Sequence, residues 1–273
     1  GFFALCLLCQ EAGRTVAPVP TYPSLVLGAL PLARFGTEEQ KAAWLPAVAS
    51  GEMILSGALT ELGSSDPLVP STRAERTSNG YRLTGEKSLV PSGAQAQRIL
   101  VPASLGGGKV ILAWVDPTNP SVKCESQQSS DRQPHCYLGL DGVEVQDADV
   151  LGGEEGADCL RWWVERATAA RCAMQLGVSE RALEMTSEYG RERVQFDRPI
   201  GSFQAFHQRA ADAFIMVEAL RLVAWEAAWL LASDKPASEA VAVAPFPTPR
   251  LSRAAGFSAV AVSYTHLTLP TKA

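Results

Sequence analysis

The sequence predicts an α+β protein, with a partial helical domain at the N-terminus, a central β-barrel or sandwich, and part of a helical bundle at the C-terminus. Two observations carry that expectation. Apolar residues recur at helical spacing from 160 to 190 (Leu160, Trp163, Ala167, Ala170, Met174, Val178, Leu183) and again from Phe203 to Ala232 (Phe203, Phe206, Ala210, Phe214, Val217, Leu220, Ala224). Between 53 and 147 the period changes, and short β-type runs alternate with turn chemistry such as Asn79-Gly80, Gly106-Gly107-Gly108 and Asp116-Pro117. The expected domains are 1–52, 53–150 and 151–262; the closing 263–273, SYTHLTLPTKA, has no helical period and reads as a non-native tail.

Taken in order, residues 2–12 read as the end of a buried helix with Gly13 as its C-cap. Helices follow at about 22–34 and 37–49, the second started by Thr37 with Glu38, Glu39 and Gln40 in a capping-box arrangement. The β-type runs are 53–59, 71–76, 80–84, 87–91, 98–103, 109–115, 121–127 and 142–147, a spacing typical of small barrels and sandwiches. The triple glycine is a hairpin loop rather than a phosphate cradle, because no helix follows it. Pro199 and Gly201 separate the two long C-terminal helices and leave Arg191, Arg193 and Arg198 beside Gln204 at a new helix N-terminus. Backbone N–H groups and cations together favour a phosphate or pyrophosphate there. Beyond Ala232, Pro245, Pro247 and Pro249 would break any helix.

Composition narrows the function. With 273 residues, 47% hydrophobic and 19% charged, the chain has ample material for a core, and its net charge of −5 argues against a nucleic-acid footprint. The six cysteines show no disulfide-framework spacing and read as buried free thiols. Three histidines are too few for a multi-histidine zinc site, so no metal is expected. No run reaches the roughly 20 apolar residues of a membrane span. The N-terminus has no initiator methionine and no signal-peptide pattern, which reads as a cut chain of a cytoplasmic protein.

The stretch RERVQFDRPIGSFQ, 191–204, resembles the R-x-x-F-G-x-x-I-x-x-x-Q pattern of the acyl-CoA dehydrogenase family, with Asp197 in the place of the glycine. The words GRTVAPVP, ARFGTEEQKAAWLP and ASGE are also typical of it, and the resemblance covers about residues 1–240. It implies that FAD is bound, with Arg193 and Gln204 reaching the FAD of a neighbouring subunit and Phe196 packing beside it. ALTELGSSD, 58–66, resembles the family's flavin loop, which implies cofactor contacts from Leu59, Thr60 and Ser65 and an acyl-CoA contact from Ser65; the loop is one residue short and Leu62 replaces a proline. GEKSLVPSG, 85–93, resembles a second flavin-facing segment and implies that Leu89, Val90 and Pro91 line the cofactor. Pro91 has neither the hydroxyl found in relatives nor an amide hydrogen.

In the isovaleryl and long-chain branches of the family the catalytic carboxylate sits on the helix before the arginine motif, immediately ahead of an arginine. Glu165 and Arg166, in DCLRWWVERATAARCAMQLG, match as base and neighbouring substrate-pocket cation. The same pair is also what a solvated helix face carries, and the residues leave both readings open. The function implied is FAD-dependent α,β-dehydrogenation of an acyl-CoA, as in fatty acid β-oxidation, with electrons passed to an electron-transfer flavoprotein. The assembly implied is a homo- or hetero-oligomer, dimer or tetramer. The alternative is a non-catalytic structural subunit of a hetero-oligomeric acyl-CoA dehydrogenase, which Leu89 and Pro91 favour and Glu165 opposes.

Overall fold

Helical periodicity and strand alternation decide where each element forms, and the departures have local causes. The computed structural model describes residues 1–64, 66–153 and 156–244. These divide into two compact units, one made of residues 1–19 with the described residues from Thr168 onward, the other of 20–167.

The helical unit contains α1 (Phe2–Arg14), the later part of α4 (Gly156–Glu192), α5 (Gln204–Ala232) and the short α6 (Ser238–Val243). Its core is built from small and aliphatic side chains: Ala169, Cys172, Ala224, Ala227 and Leu231 in one cluster, Leu176, Ala213, Val217 and Leu220 in another. Two glycines let α1 and α4 touch backbone to backbone. A methyl group on Gly13 would overlap the Met174 carbonyl, and one on Gly177 would overlap the Gln10 carbonyl. Gly13 is therefore not the C-cap the sequence suggests. It lies inside α1, and Thr15, in right-handed backbone at φ −94° and ψ −2°, caps the helix instead.

The second unit starts with a π-helical segment, Thr21–Ala29, that leads into α2 (Leu30–Phe35) and α3 (Glu38–Ser50). The sequence suggests one regular helix over 22–34. Pro31 lacks the N–H that would close an α-turn onto Leu27, and wide turns precede it instead. Thr37 and Gln40 form the expected capping box, the Gln40 amide donating to Thr37 Oγ1 (3.2 Å) and the Thr37 amide to Gln40 Oε1 (3.0 Å).

Eight strands then make one mixed sheet: β1 (Leu55–Gly57), β2 (Arg73–Arg76), β3 (Gly80–Pro91), β4 (Arg98–Gly106), β5 (Lys109–Val115), β6 (Val122–Gln127), β7 (His135–Gln146) and β8 (Val150–Leu151). The hydrogen-bonded order is β6-β7-β3-β2-β4-β5-β8, with β1 parallel to β4. The runs 80–84 and 87–91 are one strand rather than two, with register shifts at Leu83/Thr84 and Lys87/Val90 where bulges absorb the irregularity. β7 also begins earlier than 142, at His135. Gly106, Gly107 and Gly108 all have positive φ and close the β4–β5 hairpin, as their sequence implies. Leu83, Ile99, Val101, Ile111 and Leu138, all essentially inaccessible to solvent, fill the core; each contributes about 1.5–3 kcal/mol by burial. None of the six cysteines forms a disulfide, and all but the half-buried Cys124 are buried.

Gly177→Ala tests the backbone contact between α1 and α4. Overpacking against a carbonyl costs about 1–3 kcal/mol, so the urea midpoint should fall with an unchanged slope. A midpoint equal to the parent's would show that the helices do not meet there.

Candidate functional site

The 58–66 loop is anchored by a buried ion pair. Glu61, inside the loop, and Lys87, in β3, are 8% and 1% exposed, and Lys87 Nζ donates to Glu61 Oε1 at 2.6 Å. The carboxylate also accepts from the Thr72 amide (3.0 Å) and hydroxyl (2.7 Å) at Oε1, and from the Ser71 amide (2.6 Å) and hydroxyl (2.5 Å) at Oε2. Lys87 Nζ donates a second bond to the Pro102 carbonyl (2.9 Å). Burial works to raise the Glu61 carboxyl, but the ammonium and the hydroxyl and amide donors outweigh it and hold the pKa down to about 2. The same burial pushes the Lys87 ammonium below its ordinary value.

With its base pinned, the loop presents Leu59 and Thr60 along a small hollow of about 160 Å³ that Glu61, Ser64, Asp66, Pro67 and Pro70 also line. The Thr60 carbonyl accepts from the Ser88 amide (2.9 Å), which holds the loop against β3. Ser65 lies outside the described residues.

The segment 85–93 is the irregular end of β3. Leu89 and Ser92 adopt left-handed backbone, φ 51° and 52°, which costs a non-glycine residue roughly 1 kcal/mol or more each. Leu89 is exposed, and its amide is held by Gln127 Oε1 at 2.8 Å. Val90 turns its side chain into the sheet core, leaving only its backbone for a ligand. The Pro91 carbonyl accepts from Ser56 Oγ (2.5 Å), and the Ser92 amide donates to the Pro134 carbonyl (2.7 Å).

Glu165 is half-buried on α4. Its neighbour Arg166 is 6% exposed, with its guanidinium 4.0 Å over the Trp162 ring and an N–H directed at the Trp162 carbonyl (3.4 Å). Trp162 packs edge-on against Phe35 at 5.0 Å. Arg166 is therefore a stacked, fixed cation rather than a solvated one.

In the helical unit the break between α4 and α5 is a two-stranded hairpin, β9 (Val194–Gln195) and β10 (Arg198–Pro199). Its turn residues Phe196 and Asp197 both have positive φ, 53° and 61°, the requirement of a type I′ turn. Aspartate tolerates this backbone, which is why it can stand where the pattern the sequence resembles has glycine. Phe196 is 87% exposed, touching Phe203 edge-on at 6.2 Å, and Arg198 stacks over Phe203 at 4.1 Å. Arg193 is exposed, and Gln204, also exposed, is the first residue of α5. The hairpin thus keeps the expected arginine, aromatic and glutamine on one short segment of one unit.

Glu61, Lys87, Gln127 and His135 are functional candidates that motif reading missed. Nothing in the local pattern marks the ion pair, since Lys87 stands between Glu86 and Ser88 in a strand of mixed polarity; His135 and Gln127 emerge only from the ladder pairing.

The chain belongs to the acyl-CoA dehydrogenase family. Its residues 1–52 match the family's N-terminal domain and residues 154–263 its C-terminal domain. It is 41% identical over 226 residues to acyl-CoA dehydrogenase FadE27 of Mycobacterium tuberculosis, covering 83% of this chain and 58% of that protein. To acyl-CoA dehydrogenase FadE28 of the same organism it is 32% identical over 244 residues, covering 89% of this chain and 68% of the relative. Among solved structures, the ChsE4-ChsE5 complex from Mycobacterium tuberculosis superposes with a TM-score of 0.89 at 38% identity, over 96% of this chain and 70% of that one. The chain thus spans between about half and three quarters of these relatives.

Acid titration tests the ion pair. The folded carboxyl at about 2 lies below its ordinary 4.5, so its stabilisation is complete above pH 4.5 and is lost as pH falls towards 2. The loss is on the order of 3 kcal/mol. In Glu61→Gln this acid-dependent loss should disappear, while the neutral protein is weakened by about 3–5 kcal/mol because Lys87 stays buried without its counter-charge. Identical acid limbs in the two proteins would place the titration elsewhere.

Proposed function

We propose that this chain acts in FAD-dependent α,β-dehydrogenation of an acyl-CoA thioester, with an electron-transfer flavoprotein as acceptor. The observation that carries the reading is where backbone strain collects. Of the seven non-glycine residues with positive φ among the described residues, Leu89, Ser92, Phe196 and Asp197 fall on the two segments that match the family's cofactor motifs, and Arg132 falls beside the first. Such strain persists where a bound partner or the surrounding structure requires it.

The residues present fit a flavin nucleotide. The loop end at Leu59 and Thr60 is held by Glu61 and Lys87, an exposed Leu89 can cover a ring face, and a buried ring nitrogen of His135 has no partner among the described residues. When bound, FAD supplies the hydride acceptor; every other role falls to the chain. Thr60 and the backbone around it donate to the cofactor, while Arg193, Gln204 and Phe196 serve the FAD of a neighbouring subunit. Ser65 and Arg166 hold the acyl-CoA. Glu165 takes the α-proton, and its half-buried position beside the fixed Arg166 suits a carboxylate that must exchange protons with a substrate in a drying pocket.

An oligomer is supported by apolar surface in the helical unit. α5 buries Val217, Leu220 and Ala224 on one face and leaves Phe214, Leu222 and Trp229 exposed on another, more than an isolated helix pair needs to show to water. The second reading, a structural subunit paired with an active paralogue, is favoured by Pro91, which offers no donor, and by the two-component nature of the ChsE4-ChsE5 complex.

Flavin absorbance near 450 nm and its bleaching by acyl-CoA separate the readings (450 nm being about the maximum of any oxidised flavin). Glu165→Gln should retain bound FAD while the bleaching rate falls by a factor on the order of a hundred or more. Bleaching at the parental rate would make Glu165 a surface charge, and a parent protein that binds no flavin would favour the structural subunit.

A further inference from the structure

We infer that His135 binds the flavin through its Nδ1 atom, with Asp131 fixing the imidazole so that this nitrogen faces the ligand as an acceptor; this rests on the dehydrogenase reading above. His135 is 9% exposed. Its Nε2 lies 3.3 Å from both carboxylate oxygens of Asp131, while its Nδ1 is buried and has no hydrogen-bond partner among the described residues. Asp131 is itself held by the Ser129 hydroxyl and the Gln133 amide (3.0 Å). Partial burial works to raise its carboxyl, but these donors together with His135 bring it below the usual carboxylate range. An ionised carboxylate only accepts, so Nε2 carries the hydrogen, and in the neutral imidazole Nδ1 then carries a lone pair.

The ladder shows why the paired neighbours do not satisfy that lone pair. His135 pairs directly with Pro91 on β3 and with Gln127 on β6, and directly paired residues of antiparallel strands share a face. Pro91 has no donor. Gln127 is engaged through Oε1 with the Leu89 amide and through Nε2 with Ser88 Oγ (3.3 Å). Buried polar atoms in folded proteins are almost always paired, and no described residue supplies the donor, which leaves room for one from a ligand. The row Gln127–His135–Pro91 runs alongside the strained Leu89 and Ser92, the segment that the family motif assigns to the flavin. A flavin nucleotide offers suitable donors in its ring imide N–H and its ribityl hydroxyls. His135 thus adds an acceptor to a cofactor face where Pro91 offers no donor.

The two amide substitutions of His135 separate this role from a structural one. Asparagine places a polar atom near Nδ1 and loses the Asp131 contact; glutamine reaches the Nε2 position and keeps that contact but loses Nδ1. With FAD affinity measured by fluorescence quenching and folding checked by circular dichroism, His135→Gln should bind about tenfold more weakly than the parent, one good hydrogen bond, while His135→Asn stays within about threefold. Any other order overturns the proposal: equal affinities would mean that Nδ1 meets only water, and a weak asparagine variant would mean that pairing with Asp131 is what matters. Nitrogen NMR of histidine-labelled parent protein reads the atom without a substitution. Its Nδ1 resonance should shift when FAD is added. An unmoved resonance in a protein that does bind FAD overturns only this inference, whereas a parent that binds no FAD overturns it together with the dehydrogenase reading.

Discussion

Burying Glu61 and Lys87 together is the constraint on which the candidate site depends. Two charges taken out of water cost several kcal/mol each, and only near-complete satisfaction makes the arrangement stable. Five donor atoms meet the Glu61 carboxylate, from Ser71, Thr72 and Lys87, and Lys87 spends a further hydrogen on the Pro102 carbonyl. Those partners sit on the loop ahead of β2, on β3 and on β4. The pair therefore fixes the 58–66 loop to the sheet at three places. A hydrophobic pair of the same volume could fill the space but would not set the direction in which the loop leaves the sheet.

A rigid base is what allows strain beside it. Leu89 and Ser92 hold left-handed backbone within a few residues of Lys87, and the Thr60–Ser88 bond links that strained segment to the anchored loop. In the helical unit the type I′ turn at Phe196 and Asp197 plays the same part on a different frame, between the ends of α4 and α5. Both segments hold apolar side chains out to solvent, Leu89 in one and Phe196 in the other.

How far the sequence reveals this follows from the range of each interaction. Helical periodicity and the Thr37 capping box are local, and α3, α4 and α5 lie where the pattern puts them. Gly13 was misleading because its reason is a carbonyl on α4 far away in sequence. β3 looked like two strands because Gly85 and the bulge at Lys87 interrupt the alternation, and the start of β7 was hidden by the proline-containing stretch before His135. The family resemblance singles out Arg193, Phe196 and Gln204, but the hairpin between them is hidden from the sequence, since Phe-Asp lacks the Asn-Gly or Gly signature of a tight turn. Glu61 and Lys87 are ordinary surface residues by composition; only the fold turns them inward.

A double-mutant cycle on Glu61 and Lys87 tests the central claim most directly. Urea unfolding at neutral pH would be measured for the parent, Glu61→Gln, Lys87→Met and the double variant. If the pair anchors the loop, each single variant strands a buried partner, the double variant recovers much of the loss, and the coupling is about 2 kcal/mol or more. Single losses that simply add, with coupling near zero, would contradict the account.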